Sequence, residues 1–374
     1  MHLIDKTISD TSLPSFSNSI HSISLFGLSV QLDEITAMAA APMDQSYDVN
    51  SVMQKHWGAM LSEFMWNALA SCTHHGSVAI ADIGASTGLN SCKSLKPHLE
   101  RFRGISEAPV LLYHTDRPEN HWNALFTNLT GSPDSYQSVP NVYSFAVGKS
   151  FYTQNFPPNS IDIAYACATF HWLSRPAAGR NVLYPAQIYP QELHPVMQAR
   201  HREDLLTNLT ARYAELKPGG HLIFDLPDCS ATFRIMQTPI IEVAEEMHLA
   251  GLLPPDYLAN FPMPIALSSA AVNLGIIRSM TPAFEVVDVK VVEGKFELYQ
   301  EYEATGDLEG YAKKFAGFWK GFSYPYLKAL CTQGEEGEAT IQLFYQKIEE
   351  SIKRNPEPIY NKHGCFHLRK PSSN

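Results

Sequence analysis

The residues that invite a chemical reading lie in "ADIGASTGLN", Ala81 to Asn90. An apolar run, "SVAI", precedes it and "SCKSLKPHLERF" follows, so the spacing predicts a strand, a glycine turn and a helix. Such a turn holds the phosphates or the sugar of a nucleotide at the carboxyl end of a parallel sheet. The dinucleotide fingerprint needs three glycines, G-x-G-x-x-G, and only Gly84 and Gly88 stand here, with Ala85 and Ser86 between. The lysine of a phosphate loop is missing too. A pyrophosphate is poorly served, and a nicotinamide oxidoreductase is a weak reading.

A strand ending in Asp82-x-Gly84, followed by small residues, suits S-adenosylmethionine better, because small side chains let the backbone come near the ligand. The next expected strand, "APVLLYHTD", ends in Asp116. A carboxylate there can grip the two ribose hydroxyls of an adenosine. By itself Asp116 reads equally as the cap of the helix after it. With Asp82 and Gly84 in place, the ribose role is favoured.

The elements needed to position these groups follow from the alternation along residues 78–228. Strands are expected over "SVAIADIG", "APVLLYHTD", "NVYSFAVG", "SIDIAYACATF" and "HLIFDLPD", and helices over "LNSCKSLKPHLERFR", "ENHWNALFTNL" and "HREDLLTNLTARYAELKPGG", the last ending at a glycine pair. This predicts an α/β, Rossmann-like, doubly wound sheet. Residues 51–71 carry apolar positions at helical spacing. After Asp228 the pattern is mostly helical, interrupted by "FEVVDVKVVEG" and "KFELYQEY", both read as strands. The division expected is an N-terminal arm (1–45), a cofactor-binding core (46–230), a helical cap with returning strands (231–330) and a C-terminal helix and final strand that complete the core (331–374).

The 374 residues are 45% hydrophobic and carry a net charge of −10. That charge, with no Lys/Arg stripe, argues against a nucleic-acid partner. No apolar run is long enough for a membrane span, and the N-terminus lacks a basic start with a clean apolar block. The six cysteines show no framework spacing. A cytoplasmic protein is expected.

Several stretches together resemble the SABATH methyltransferases, which methylate small carboxylic acids and, in one branch, ring nitrogens. They are "SYDVNSVMQ", "ADIGASTGLNS", "DRPENHWNALF", "AVGKSFYTQNFPPNSID", "FHWLS" and "ARYAELKPGGHLIF", in the family's order, with a looser match at "FAGFWKGFSYPYLKAL". The divergence between them points to a distant, microbial branch.

The resemblance implies a class I methyltransferase fold, S-adenosyl-L-methionine as cofactor, a small-molecule carboxylic acid as acceptor, and a homodimer. It places Tyr47 and Ser51 against the cofactor. Asp82, Gly84, Ser86 and Asn90 would line the methionine and adenosine site. Asp116 would bind the ribose, Arg117 would pack beside the adenine, Ser150 and Phe151 would hold its edge and face, and Ala166 would be a further cofactor-binding position. Gln54, Ala168, His171 and Trp172 would meet the acceptor, with Gln54, His171 and Trp172 as the catalytic set. An ionised carboxylate needs no base, only donors that fix one oxygen while the other attacks, and an amide and an indole N–H are such donors. His171 would serve as base only for a phenol or a ring N–H. Read without the resemblance, Gln54 is an exposed helix residue and Trp172 a core aromatic.

The chain departs from the family where a Ser-Ser-Tyr-Ser run becomes Ala166-Cys167-Ala168-Thr169. Loss of that tyrosine implies a wider acceptor pocket, suited to a larger or longer acid, or one with two carboxyls. It also leaves open a ring-nitrogen or phenol methyltransferase and a methyltransferase-shaped binding protein without turnover. The family's metal stretch corresponds to "ANFPMP", with Ala259 and Pro262 where ligands should be and Asn181 the one ligand-type residue left, and His363, Cys365 and His367 read as strand positions, so no metal is expected.

Overall fold

The computed structural model describes residues 58–73, 76–175, 195–228, 231–254, 264–331, 334–358 and 360–372. The chain opens with α1 (Ser62–Ser71), then β1 (Val78–Ile83), α2 (Leu89–Arg103), β2 (Val110–Asp116), α3 (Trp122–Gly131), β3 (Val142–Gly148) and β4 (Ile161–Ala166). It continues with α4 (Pro195–Glu215), β5 (Leu216–Pro227), α5 (Ala231–Leu249), α6 (Ala270–Arg278) and β6 (Glu285–Lys295). The last elements are α7 (Glu297–Thr305), α8 (Leu308–Leu330), α9 (Glu335–Arg354) and β7 (Tyr360–Arg369).

The strands form one sheet in the order β3-β2-β1-β4-β5-β7-β6. The first five are parallel, and β7 runs antiparallel to both β5 and β6. This is the doubly wound α/β architecture expected. β1 "VAIADI" and β4 "IDIAYA" are buried at every position because helices cover both faces, whereas β3 and β6 at the edges keep residues such as Tyr143 and Val291 exposed. α1, α2 and α3 cover one face through Phe64, Leu95, Leu99 and Leu125, and α4 and α6 the other through Leu205, Leu209, Ile276 and Ile277. A third core, with Met247, Phe296, Phe315, Trp319 and Ile348, joins α5, α7, α8 and α9 to Leu173 and Ile265–Leu267 beyond the carboxyl edge. By packing, then, α9 belongs with the cap helices and α6 with the sheet. Among the described residues, no helix is long and apolar enough to cross a membrane.

Two local expectations are corrected. "KFELYQEY" forms α7, not a strand. Leu298, Tyr299 and Tyr302 fall on one helical face, and the two tyrosines meet the Tyr311 ring of α8 at 5.7 and 5.4 Å. The same apolar spacing that reads as alternation is satisfied by a helix once α8 is present to receive it. The glycine pair after α4 is not a helix terminator but part of β5, where the register with β4 shifts. Gly219 has φ +82, and a Cβ on Gly220 would lie 3.0 Å from the Asp162 carbonyl oxygen.

The sheet reverses its winding between β1 and β4, which are neighbours, and the crevice above such a reversal is where ligands bind. There Gly84 (φ +76) faces Thr169, and a Cβ on Gly84 would lie 2.6 Å from Thr169 Cγ2 and Oγ1. Gly84→Ala is expected to lower stability by roughly 1–3 kcal/mol in denaturant unfolding. Adding Thr169→Ala removes the two atoms in the way, so the double variant should lose less than the sum of the singles; additive losses would show that the contact does not govern this position.

Candidate functional site

At the end of β1 the chain turns through Gly84, Ala85, Ser86 and Thr87 into α2, with Gly88 (φ +76) as its N-cap. Ser86 also lies in the left-handed region at φ +48. A residue with a Cβ holds that geometry only under constraint, and the constraints are visible. The Ser86 N–H donates to Asp116 Oδ2 at 2.7 Å, and Asn120 Nδ2 donates to the Ser86 carbonyl at 2.7 Å. The Gly84 and Ala85 N–H groups both donate to the Thr115 carbonyl, at 2.8 and 3.0 Å. Asn128 Nδ2 donates to the Thr87 carbonyl at 3.0 Å. The loop is therefore bolted to the end of β2, and Asn90 stands partly exposed in the first turn of α2.

Asp116 accepts a second backbone bond, from Arg117 N–H to Oδ1 at 2.8 Å. A carboxylate has about four lone-pair positions. Two N–H groups leave lone pairs for two more donors, as a ribose diol would supply, and the residue as a whole is half-buried. Burial by the surrounding loop pushes its pKa above the ordinary value, against the pull of the two N–H bonds and of Arg117. Asp82 has a different partner. Its Oδ2 is bonded at 2.7 Å to His114 Nδ1 of β2, and His114 Nε2 in turn meets the Tyr136 hydroxyl, all three side chains being buried. This chain ties β1 to β2 beneath the loop.

The expected adenine-binding residues, Ser150 and Phe151, follow β3. Phe151 is partly exposed and packs against Tyr152 and Phe170, with ring centroids 4.7 and 6.0 Å away. The turn is held from below by Arg212 of α4, wholly buried. Its Nη1 donates to the Phe151 carbonyl at 3.1 Å and its Nη2 to the Thr153 carbonyl at 2.9 Å, while Nε pairs with Glu215 Oε2 at 2.7 Å. Glu215 Oε1 accepts from the Asn155 and Phe156 N–H groups. Arg212 and Glu215 were not among the expected site residues, although their signal is plain: an Arg-x-x-Glu pair inside "ARYAELKPGG", on an otherwise apolar helix end.

The residues expected to meet the acceptor follow the end of β4. Ala166 is fully buried, and Ala168, with φ +53, is half-buried against the cap. The Ala168 N–H donates to Asp225 Oδ1 at 2.7 Å, and Asp225 Oδ2 pairs with His363 Nδ1 at 2.8 Å. Thr169 Oγ1 donates to the Ile83 carbonyl at 2.9 Å, so the acceptor segment is tied directly to β1. His171 is 7% exposed, and its Nδ1 has no hydrogen-bond partner among the described residues. Burial pulls its pKa down to about 4, with Asp225 opposing, so the ring is neutral at pH 7. Trp172 is half-buried and lies parallel to Tyr326 of α8, centroids 6.4 Å apart and planes at 18°. The segment is stitched to the cap by Leu173 N–H to the Pro264 carbonyl at 2.6 Å and Ala266 N–H to the His171 carbonyl at 2.8 Å.

The structure thus gathers Gly84, Ser86, Asn90, Asp116, Arg117, Ser150, Phe151, Ala166, Ala168, His171 and Trp172 around the carboxyl ends of β1 to β4. Tyr47, Ser51 and Gln54 lie outside the described residues, as do the N-terminal arm and the "ANFPMP" stretch up to Met263. Among the described residues no cluster of three or more His, Cys, Asp or Glu could hold a metal ion. His363 is engaged by Asp225 and His367 by His221 at 2.9 Å.

A doubly wound sheet with an antiparallel seventh strand, a small-residue turn over β1 and a carboxylate over β2 with lone pairs to spare fit an S-adenosyl-L-methionine-dependent methyltransferase. The comparisons give the family. The SAM dependent carboxyl methyltransferase model matches residues 34–363, and the chain belongs to this family, the one the motifs resemble. A 3,7-dimethylxanthine N-methyltransferase of Camellia sinensis var. assamica is 22% identical over 354 residues, 86% of this chain and 92% of its own. A benzoic acid/salicylic acid carboxyl methyltransferase of Petunia hybrida is 26% identical over 215 residues, 53% of this chain and 60% of its own. The structure of loganic acid methyltransferase with SAH superposes with a TM-score of 0.68 at 17% identity, covering 89% of this chain and 99% of that one. One relative is named for transfer to nitrogen and another for transfer to a carboxyl, so membership by itself leaves the acceptor atom open.

Asp116→Ala is expected to weaken S-adenosylhomocysteine binding by roughly 1–3 kcal/mol in calorimetry. Because the raised pKa makes Asp116 protonate early, affinity in the parent protein should fall on acidification from a pH above the ordinary carboxylate range, and this step should vanish in Asp116→Ala. Unchanged affinity in the variant would refute the ribose assignment.

Proposed function

We propose that the protein transfers a methyl group to the carboxylate of a small organic acid, giving a methyl ester. S-adenosyl-L-methionine supplies an electrophilic methyl carbon. The chain's residues must then bring one carboxylate oxygen into line with it, at roughly 3 Å, and strip part of its water. In this reading Gly84, Ser86, Asn90, Asp116, Ser150 and Phe151 hold the cofactor, together with Tyr47 and Ser51. Gln54 and Trp172 donate to the acceptor oxygen that does not attack. His171, neutral and buried, adds a ring nitrogen to the pocket wall.

The observation that carries the reading is the burial of His171, 7% exposed after the end of β4. A general base works best with a pKa near the operating pH, and burial pulls that of His171 down to about 4, which makes it a weak base for a phenol or ring N–H. A carboxylic acid, already ionised above about pH 4, needs none. Ala168, where the family carries a tyrosine, supports an acceptor bulkier than a flat aromatic acid, or one with a second carboxyl. A homodimer in the cytoplasm belongs to the same reading.

Incubation with methyl-labelled cofactor and a panel of aromatic and aliphatic acids should yield a base-labile labelled product. His171→Asn should retain activity to within about tenfold, whereas removing a true base typically costs about 10²–10⁴. A base-stable product, together with a loss of the larger size, would assign the enzyme to nitrogen or phenol transfer.

A further inference from the structure

The cofactor turn after β3 and the acceptor segment after β4 are separate in sequence but share one side chain. Tyr152 follows Phe151 directly. Its hydroxyl donates to the carbonyl oxygen of Trp172, with Asp204 Oδ2 of α4 a more distant neighbour at 3.5 Å. Burial, reinforced by the Asp204 carboxylate, keeps this hydroxyl protonated and hence a donor. The two carbonyls that flank Tyr152, those of Phe151 and Thr153, are both held by Arg212. On the other side of the bridge, Asp204 accepts from Ser174 N–H and Oγ, each at 2.8 Å. One helix, α4, thus anchors both ends, and the Tyr152–Trp172 bond links the two segments directly. Phe170, packed between Phe151 and Phe224 at 6.0 and 5.3 Å, adds an apolar contact beside it.

We propose that Tyr152 is a positioning residue that couples the two halves of the site: contact of the cofactor with Ser150 and Phe151 fixes Tyr152, and Tyr152 fixes the Trp172 backbone so that the acceptor is gripped only beside a bound cofactor. The proposal rests on the assignment of Ser150 and Phe151 to the cofactor, and not on the identity of the acceptor. Its advantage is chemical. An acceptor site completed by the cofactor keeps an acid from occupying the pocket unproductively.

The test needs no acceptor. Three N–H groups report on the acceptor segment: Trp172 to the Thr169 carbonyl at 3.1 Å, Leu173 to the Pro264 carbonyl at 2.6 Å, and Ser174 to Asp204 at 2.8 Å. Hydrogen–deuterium exchange of the full chain, with and without S-adenosylhomocysteine, reads both segments at once. In the parent protein the ligand should slow exchange at 150–153 and at 172–174. In Tyr152→Phe, which keeps the ring, it should slow exchange at 150–153 alone, with affinity for S-adenosylhomocysteine changed by no more than about threefold. Slowing at 150–153 without 172–174 in the parent protein overturns the coupling, as does retention of both in Tyr152→Phe. Slowing at neither segment overturns the proposal at its first link, the assignment of the turn to the cofactor. The parent comparison stands whether or not the variant folds.

Discussion

Thr169 Oγ1 donates to the Ile83 carbonyl at 2.9 Å, and the same side chain fills the space a Cβ on Gly84 would need. This contact joins the carboxyl ends of β1 and β4, the two strands between which the sheet reverses. The turn after β1 can come this close because Gly84 has no side chain, and the Thr169 hydroxyl ties the segment after β4 to β1 in addition to its bonds to Asp225 and Asp204. Cofactor loop and acceptor segment are consequently neighbours before any ligand arrives. A methyl transfer that must align a nucleophile with a carbon to within a fraction of an ångström requires such a fixed relation.

Around this contact the polar groups are arranged as tethers. The Ala168 N–H bonds Asp225, which pairs with His363 of β7. Arg212 and Glu215 secure the turn after β3, and Asp82 with His114 secures the floor between β1 and β2. These side chains are buried, and each is paired, as buried charge must be. His171 is the contrast, buried with Nδ1 unpartnered among the described residues. In the function proposed, this neutral ring beside the indole packed on Tyr326 has little power to deprotonate an acceptor.

What could be read from the sequence was what is local. The strand–turn–helix around Gly84 and Gly88, the carboxylate at the end of β2 and the alternation of elements are matters of spacing over about ten residues, and all were legible. The tethers were not, because their partners lie far apart. Asp225 meets Ala168 and His363, separated from it by 57 and 138 residues. Its only signal was a charge inside the apolar run "HLIFDLP". Arg212 and Glu215 stood in a quoted motif, but their carbonyl and N–H partners at Phe151 to Phe156 could not be foreseen. "KFELYQEY" was misread because its apolar spacing fits two periods, and only the tyrosines of α7 meeting Tyr311 decide between them. The Gly219–Gly220 pair was misread because a β5 bulge and a helix stop draw on the same residue.

The central claim is that the acceptor is an anion before it reacts, so that a neutral His171 is sufficient. Proton bookkeeping tests this most directly. Transfer of a methyl from a sulfonium to a carboxylate forms a neutral ester and S-adenosylhomocysteine and liberates no proton, whereas transfer to a phenol or a ring N–H must release one. In weakly buffered solution near neutral pH, with turnover followed as S-adenosylhomocysteine formed, the account predicts a ratio of protons released to turnovers close to zero. A ratio close to one would contradict it.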